Sequence, residues 1–296
     1  MGDLIQEINK LKRKKNAVIL AHNYQRKEIY EVADFIGDSL DLSKKAATTA
    51  ADIIVFCGVD FMAESAKLLN QKKKVLIPSK LAKCPMAAMV DIKELKLLKK
   101  EYPKAAVLSY INTNAETKAE SDICCTSMNF IDIANNLKNK EIIFLPDKNM
   151  GKYLQTKTNK KIILIEGYCI THSKVKPGDI IKAKELHPDA KVVAHPECPL
   201  EVLNLVDHIT GTGGMIKYAK ESPAKEFIIV TEEGMCNRLE REIKNKKFYR
   251  AAGICFNMKQ ITLENVYEAL KKEQYEVNVP EEIAEKARKC LQKMIE

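Results

Sequence analysis

The stretch KKIILIEGYCITHS, residues 160–173, joins an apolar run to a single cysteine, Cys169, and to His172 three residues later. Its first ten residues follow a pattern that occurs twice more, in KVLIPSKLAKC ending at Cys84 and in KKFYRAAGIC ending at Cys255. The three cysteines lie 85 and 86 residues apart, which indicates three copies of one structural unit. The cysteine of this stretch is therefore one of a set of three.

Polar residues repeat in a similar register behind short apolar runs. One set follows the runs AVILA, AAVLS and AKVVA directly, and a second set provides hydroxyl groups a little further on. Successive members of both sets lie 88 and 85 residues apart. The members are the strand-tip residues His22, Tyr110 and His195 and the hydroxyl residues Ser39, Ser127 and Thr212.

The order of apolar runs and helix patterns predicts an α/β fold. Short runs rich in Val, Ile and Leu alternate with amphipathic stretches such as DIKELKLLKKEYP, which is typical of parallel sheets covered by helices on both faces. We predict three similar α/β/α modules at residues 1–88, 89–173 and 174–258, followed by a helical extension at residues 259–296. A pseudo-threefold arrangement would turn the carboxyl ends of their strands, where open parallel sheets bind ligands, toward one cavity.

The composition excludes several classes of protein. The 296 residues carry a formal net charge of +9, but the lysines are dispersed and tryptophan is absent, so we expect no nucleic-acid binding. The longest apolar runs are too short for a membrane span, and the N-terminal MGDLIQEINKLKRKK predicts a charged amphipathic helix. We expect a cytoplasmic protein with reduced cysteines and an anionic small substrate.

Three thiolates from distant segments suit a soft metal centre. Zinc sites usually take paired ligands from Cys-x-x-Cys motifs, and this chain has none. A 4Fe–4S cluster normally has four cysteine ligands, so three ligands leave one iron with an open position that acts as a Lewis acid. This pattern favours dehydration or condensation. Free cysteines are most often small buried groups, and the register singles out none of the other six: Cys57, Cys124, Cys125, Cys198, Cys236 and Cys290.

Candidate acid–base residues follow the strands. His22 and Tyr24 lie in AHNYQ, and His195 and Glu197 lie in AHPEC, a combination of groups suited to proton transfer. His172 is expected next to the metal because it follows a predicted ligand by three residues. Two interpretations of the GTGGM motif stay open, a backbone cradle for phosphate or carboxylate and a simple glycine turn.

The motifs ILAHNYQ, GVDFMAE, SYINTNAE, CTSMN, PDKNMG, CITH, HPECP, GTGGM and TEEGM, spread over essentially the whole chain, closely resemble those of the quinolinate synthase family. The resemblance implies a triangular fold of three α/β domains around a central cavity. It implies a 4Fe–4S cluster with one open iron on Cys84, Cys169 and Cys255. It also implies condensation of iminosuccinate with dihydroxyacetone phosphate to quinolinate, with loss of phosphate and two waters, in de novo NAD biosynthesis. An aspartate oxidase or dehydrogenase would supply the imine.

The resemblance also implies roles for individual residues. Proton transfers are expected of Tyr24 and Glu197, and His195 is placed with them as catalytic. Substrate contacts are expected from His22, Ser39, Tyr110, Asn112, Ser127, His172, His195, Glu197 and Thr212. The chain departs from many relatives at Tyr168, where they have histidine, and at Gly211, where they have serine. It also lacks a C-terminal Cys-x-x-Cys pair that some relatives carry.

Three alternatives remain open from the residues alone. A different iron–sulfur hydro-lyase would act on one hydroxy acid and release no phosphate. A non-catalytic iron–sulfur sensor would need a partner-binding or DNA-binding module, and the sequence contains no recognisable one. A zinc enzyme would be colourless when prepared without oxygen.

Overall fold

Three four-stranded sheets, one within each predicted module, form the framework of the protein. The structure is a computed structural model, and it describes residues 2–295. In each sheet the first strand lies between the second and the third, and the fourth pairs with the third. The strands are β1 (Ala17–His22), β2 (Phe35–Gly37), β3 (Ile53–Cys57), β4 (Lys74–Leu76), β5 (Ala106–Tyr110), β6 (Ile123–Cys125), β7 (Glu141–Leu145), β8 (Lys161–Leu164), β9 (Lys191–Ala194), β10 (His208–Ile209), β11 (Glu226–Val230) and β12 (Lys247–Arg250).

Helices connect these strands, as parallel pairing requires. The helices are α1 (Gly2–Lys14), α2 (Ser39–Thr48), α3 (Asp60–Leu69), α4 (Ile92–Glu101), α5 (Ala115–Ala119), α6 (Phe130–Asn136), α7 (Lys148–Gln155), α8 (Pro177–Leu186), α9 (Leu200–Leu203), α10 (Thr212–Glu221), α11 (Gly234–Glu242), α12 (Leu263–Lys272) and α13 (Glu281–Ile295). Single 3₁₀ turns lie at Ile29–Glu31, Met86–Met89, His172–Lys174 and Met258–Gln260.

The central strands are buried on both faces. Every residue of β3 and of β5 is buried, as expected for β-branched and other apolar side chains in a parallel sheet covered on both sides. β1 pairs in parallel with both β2 and β3, and β9 pairs in parallel with both β10 and β11. The predicted α/β fold of three similar modules is confirmed. The triangular arrangement and the module boundaries stay predictions.

The chain forms two compact units. The first contains residues 2–87, 111–124 and 256–295, and the second contains residues 88–110 and 125–255. The predicted C-terminal helices belong to the first unit, where α12 packs on α1 and β3, and α13 packs on α3 and α5. On α13 the apolar side chains of Ala287, Leu291 and Met294 are buried, with Cys290 beside them. No helix among residues 2–295 combines the length and the apolarity needed to cross a membrane.

Candidate active site

Glu197 is the centre of a buried hydrogen-bonded group in the second unit. It lies two residues beyond the histidine that follows β9, and only 3% of its surface is exposed. Its Oε1 accepts a 2.7 Å hydrogen bond from the hydroxyl of Tyr110 at the end of β5. Its Oε2 lies 2.7 Å from Nδ1 of His172. Two predicted substrate-binding residues therefore hold one predicted catalytic residue.

His172 is fixed through both ring nitrogens. Nδ1 faces the carboxylate of Glu197 and lies 3.2 Å from Sγ of Cys169, while Nε2 lies 2.8 Å from the hydroxyl of Thr231. A carboxylate oxygen only accepts, so this network places the proton on Nδ1 and lets Nε2 accept from the threonine. The imidazole therefore lies beside the thiol of Cys169, and its place next to a metal stays a prediction. Thr231, which sequence reasoning did not single out, fixes the ring.

The second histidine of the group, His195, stacks on His172 with ring centroids 4.8 Å apart. Its Nδ1 accepts the backbone N–H of Glu197 at 3.4 Å and lies 3.8 Å from Oε2 of that carboxylate. Burial lowers the pKa of His195 to about 4, so the imidazole is neutral at pH 7. A neutral ring leaves the lone pair of Nδ1 free to accept this bond.

The Glu197 carboxylate is ionised despite its burial. Burial alone would raise its pKa, but the nearby imidazoles of His195 and His172 and the hydrogen bonds from His172 and Tyr110 lower the pKa below the ordinary value. Since His195 is neutral at pH 7, the two direct hydrogen bonds carry most of this stabilisation. The group is an ionised carboxylate with two defined hydrogen-bond donors, the Tyr110 hydroxyl and the His172 imidazole.

His22 and Tyr24 form a similar pair in the first unit. The backbone N–H of Tyr24 donates to Nδ1 of His22 at 3.2 Å, the same bond that links Glu197 to His195. The two rings meet edge to face with centroids 4.7 Å apart. The carbonyl of Tyr24 accepts from Nζ of Lys259 at 2.6 Å. The backbone of Tyr24 is therefore held independently of its hydroxyl.

Asn112 lies in the first unit, on the loop that follows β5. Its Oδ1 is buried and has no hydrogen-bond partner among the described residues. The flanking carbonyls of Ile111 and Thr113 both accept from Nζ of Lys118, a lysine with no exposed surface. A buried acceptor without a partner costs free energy unless a ligand or water satisfies it, which supports a binding role for Asn112.

The repeated hydroxyl residues lie where helices begin or where strands end. Ser39 and Thr212 are the first residues of α2 and α10, and Ser127 follows β6. In the second unit, a Cβ placed on Gly211 would lie 2.3 Å from Oγ of Ser127. A larger residue at this departure from many relatives would therefore require the Ser127 side chain to shift. The GTGGM motif forms the start of α10, with Gly211 as the residue before the helix. The first backbone N–H groups of a helix have no partner within the helix, so both interpretations of the motif stay open.

The nine cysteines separate into two classes. Cys84, Cys169 and Cys255 are half-buried, whereas the other six are buried. Burial raises the pKa of Cys236 to about 12 and raises the pKa of Cys198 still further, whereas at Cys124 burial is outweighed by the hydrogen bond with Cys290 and the charge of Lys118, which lower the pKa. A buried thiol with a raised pKa is a poor ligand because metals bind the thiolate. Partial exposure is the property that distinguishes the three cysteines in register from the other six.

Two of the buried cysteines bear on particular expectations. Cys198, the one nearest to the candidate active site in sequence, belongs to an apolar cluster of the second unit with Val202 and Val230. Cys290, expected in the core, lies in the first unit with its Sγ 3.2 Å from Sγ of Cys124. Both are packing groups in this structure.

A compact group of possible metal ligands occurs at Cys169. Among residues 2–295, ligand atoms of Cys169, His172 and Glu197 lie within 4.8 Å of one another. Two ligands of a tetrahedral zinc lie about 3.3 Å apart, given bonds of about 2.0 Å. The imidazole and the carboxylate are closer than that, at 2.7 Å, and share a proton. Within this group the cysteine is therefore the available ligand.

Two further repeats in the sequence were passed over, although the first of them joins residues already predicted for the site. Tyr24, Asn112 and Glu197 are spaced by the same 88 and 85 residues as the strand tips two positions earlier. They form a third set in register, one residue per module. The acidic residues that follow the third strand of each sheet, Asp60, Asp147 and Glu232, were also passed over.

Fold and site together define an α/β enzyme of three similar modules with a buried acid–base centre and accessible thiols. Residues 6–296 match the family described as quinolinate synthetase A protein. The chain is 50% identical over 296 residues to quinolinate synthase 1 of Methanosarcina acetivorans, covering 99% of this chain and 97% of the relative. It is 51% identical over 298 residues to quinolinate synthase of Pyrococcus furiosus, covering 99% and 98%. The chain belongs to the quinolinate synthetase A family, whose members are enzymes of NAD biosynthesis.

Proposed function

We propose that this quinolinate synthase condenses iminosuccinate with dihydroxyacetone phosphate, with loss of phosphate and two waters, to give quinolinate. The observation that carries the proposal is the buried Glu197 centre in a chain that is about half identical, over nearly its full length, to quinolinate synthases. Both proposed substrates are anionic small molecules, and the net charge of +9 has the sign that attracts them.

Proton transfer is assigned to two sites. Glu197 is the base of the second unit, ionised at pH 7, with the Tyr110 hydroxyl and the His172 imidazole placed to pass or hold the proton. Tyr24 is the proton-transfer group of the first unit. His195 acts in its neutral form, orienting the backbone of Glu197.

Substrate binding is assigned to polar residues that follow strands. Imidazole and amide groups bind the carboxylates, and the hydroxyls at helix starts bind phosphate together with backbone N–H groups. Asn112 supports a binding role because its buried Oδ1 has no partner among the described residues and would accept from a hydroxyl group of the substrate. The proposed set is His22, Ser39, Tyr110, Asn112, Ser127, His172, His195, Glu197 and Thr212.

Cys84, Cys169 and Cys255 are proposed as the ligands of a 4Fe–4S cluster. Their common register and their partial exposure support this, since the six remaining cysteines are buried. When bound, a cluster with three thiolate ligands supplies an open iron that acts as a Lewis acid in dehydration. This chemistry requires reduced thiols, which agrees with a cytoplasmic location. An imine-forming aspartate oxidase or dehydrogenase would supply iminosuccinate.

The test is purification without oxygen, measurement of iron and sulfide per chain, and assay with both substrates. We expect about four irons and four sulfides per chain, a brown preparation, and quinolinate and phosphate only when both substrates are present. Turnover of one hydroxy acid without phosphate release would instead identify a hydro-lyase. A colourless zinc protein, or an iron–sulfur protein that turns over neither substrate, would contradict the proposal.

A further inference from the structure

All three proposed cysteine ligands lie in irregular chain. None of Cys84, Cys169 and Cys255 belongs to a helix or strand, so no regular ladder of backbone hydrogen bonds holds them. A metal site nevertheless needs ligands held close to one geometry before the metal binds. Some other contact must therefore fix the backbone at each cysteine.

The backbone N–H of each cysteine donates to a carboxylate. The N–H of Cys84 donates to Oδ1 of Asp60 at 2.9 Å. The N–H of Cys169 donates to Oδ2 of Asp147, also at 2.9 Å. The third bond, from the N–H of Cys255 to Oε1 of Glu232, measures 3.2 Å. The three carboxylates occupy similar places, two or three residues behind the third strand of each sheet.

A second bond recurs two residues before each cysteine. The backbone N–H of Asp60 donates to the carbonyl of Ala82 at 2.9 Å. In the next two modules the N–H of Lys148 donates to Gly167 at 2.8 Å, and the N–H of Glu233 donates to Gly253 at 3.3 Å. Each cysteine segment is thus held by two bonds to the start of the helix that follows the third strand, an arrangement we call the cysteine clamp.

Each carboxylate is itself anchored to its helix. Asp60 accepts from the N–H of Phe61, Asp147 accepts from the N–H of Met150, and Glu232 accepts from the N–H of Gly234, at distances from 2.7 to 3.0 Å. Asp147 and Glu232 have no exposed surface. A buried carboxylate that accepts two hydrogen bonds has one orientation available. The position of the helix therefore fixes the position of the cysteine backbone.

The residues two positions before the cysteines are small, which suits the close approach that the clamp needs. They are Ala82, Gly167 and Gly253. A Cβ on Gly167 would lie 2.3 Å from the carbonyl oxygen of Pro146, so no larger residue fits there without a shift of the backbone. The middle clamp therefore constrains the sequence on both sides of the contact.

We propose that Asp60, Asp147 and Glu232 are positioning residues, one in each module, that fix the backbone of the metal-binding cysteines before the metal arrives. The inference rests on the proposed role of these cysteines as cluster ligands. The carboxylates need not touch the metal. They act through the cysteine N–H groups, as second-layer groups commonly do around metal ligands.

The test compares alanine variants at all three positions with a conservative amide at Asp60, in otherwise intact protein. Asp60→Ala removes the acceptor, while Asp60→Asn keeps it, because Oδ1 of Asp60 accepts from both Phe61 and Cys84. Asp147 and Glu232 use both carboxylate oxygens, so each is replaced by Ala alone. Asp91→Ala is the matched control, because Asp91 caps α4 through the N–H of Lys93 and holds no cysteine segment. Circular dichroism checks that each variant is folded.

Two measurements are made without oxygen. In cluster-free protein, hydrogen exchange should be about tenfold faster at the Cys84 amide in Asp60→Ala and at the Cys169 amide in Asp147→Ala, because one hydrogen bond is lost. After reconstitution with iron and sulfide, both alanine variants should lose their visible absorbance several-fold faster in the presence of a chelator. Asp60→Asn and the Asp91→Ala control should match the wild type in both measurements.

Wild-type exchange and wild-type cluster lifetime in the alanine variants would overturn the proposal. So would an Asn variant that loses its cluster as fast as the Ala variant while its amide stays protected, because charge and not position would then matter. If the wild-type protein takes up no iron at all, the cluster assignment fails, and the exchange data still decide whether the carboxylates hold the cysteine backbone.

Discussion

Oε2 of Glu197 and Nδ1 of His172 are 2.7 Å apart although the two residues belong to different predicted modules. The imidazole cannot turn away, because its Nε2 is held by the hydroxyl of Thr231 at 2.8 Å. The carboxylate cannot turn away either, because its other oxygen accepts from Tyr110. Both partners of the pair are therefore held in one orientation, with the thiol of Cys169 beside the imidazole.

Replacing Glu197 by glutamine should abolish most turnover and spare the cluster. The amide keeps the size of the side chain and an oxygen for the Tyr110 hydroxyl, but it is no base, so we expect kcat to fall about a hundredfold or more. Glu201→Gln, at an exposed position on α9, should be unaffected. Kinetics with both substrates, beside iron content, check this, and wild-type turnover in Glu197→Gln would remove Glu197 from the mechanism.

Replacing Tyr24 by phenylalanine should leave substrate binding intact and stall the reaction before product. The bonds from the backbone of Tyr24 to His22 and Lys259 do not involve the hydroxyl, and the ring contact with His22 is kept. Tyr267→Phe on α12 is the control. Binding is measured by titration and product by chromatography. If Tyr24→Phe forms quinolinate at the wild-type rate, its hydroxyl is dispensable.

Lys118 should control substrate affinity through the loop that carries Asn112. Its ammonium donates to the carbonyls of Ile111 and Thr113, and burial lowers its pKa. Lys118→Met keeps the length but leaves two buried carbonyls unsatisfied, which costs about 1–3 kcal/mol each.

We therefore expect a KM raised about tenfold or more in Lys118→Met, with a smaller change in kcat and a lower urea midpoint. Lys93→Met, at an exposed position on α4, serves as the control and should match the wild type. An unchanged KM in a destabilised Lys118→Met protein would show that the lysine serves the fold alone.

The strands and helices could be predicted because their signals are local. The largely apolar runs of β3 and β5 and the helical spacing in α4 are properties of a few consecutive residues. The cysteine register was equally accessible, because a repeat needs only a comparison of the chain with itself. These features identify three modules before any contact is known.

The contacts of the active site could not be predicted in the same way. The bond between His172 and Glu197 joins side chains from two modules, and no local pattern encodes its length or the identity of its third partner, Thr231. The cysteine clamps were hidden for a different reason. Asp147 reads as an ordinary helix cap, which it is, and only the structure shows that its second oxygen accepts from Cys169.

Acid should release a contact that ties α12 to α1 and β4 in the first unit. Hydrogen bonds from Lys15 and Lys74 lower the pKa of Glu273 to about 2. The unfolded value is about 4.3, so this carboxylate stabilises the fold above that pH and loses the contribution as pH falls toward 2.

Glu273→Gln should therefore be less stable than the wild type at pH 7, by less than about 1 kcal/mol because the group is partly exposed, and this difference should shrink as pH falls from about 4 through 2. The more exposed Glu285→Gln should change less. Urea unfolding across this pH range provides the measurement, and a difference as large at pH 2 as at pH 7 would contradict the assignment to charge.

Serine substitution of each cysteine in turn should divide the nine into the same two classes as their exposure. Cys84→Ser, Cys169→Ser and Cys255→Ser should each lose most iron and sulfide, because a site with three protein ligands has none to spare and a serine oxygen is a poor substitute for a thiolate. Replacement of any of the six buried cysteines should leave the cluster in place and lower the stability of the protein instead, since serine introduces a hydroxyl into an apolar site.

Cys198→Ser is the decisive control, because Cys198 follows Glu197 directly but packs among apolar residues. Iron and sulfide per chain are measured in protein prepared without oxygen. If Cys198→Ser emptied the site while Cys169→Ser left it full, the register of the three modules would not identify the ligands.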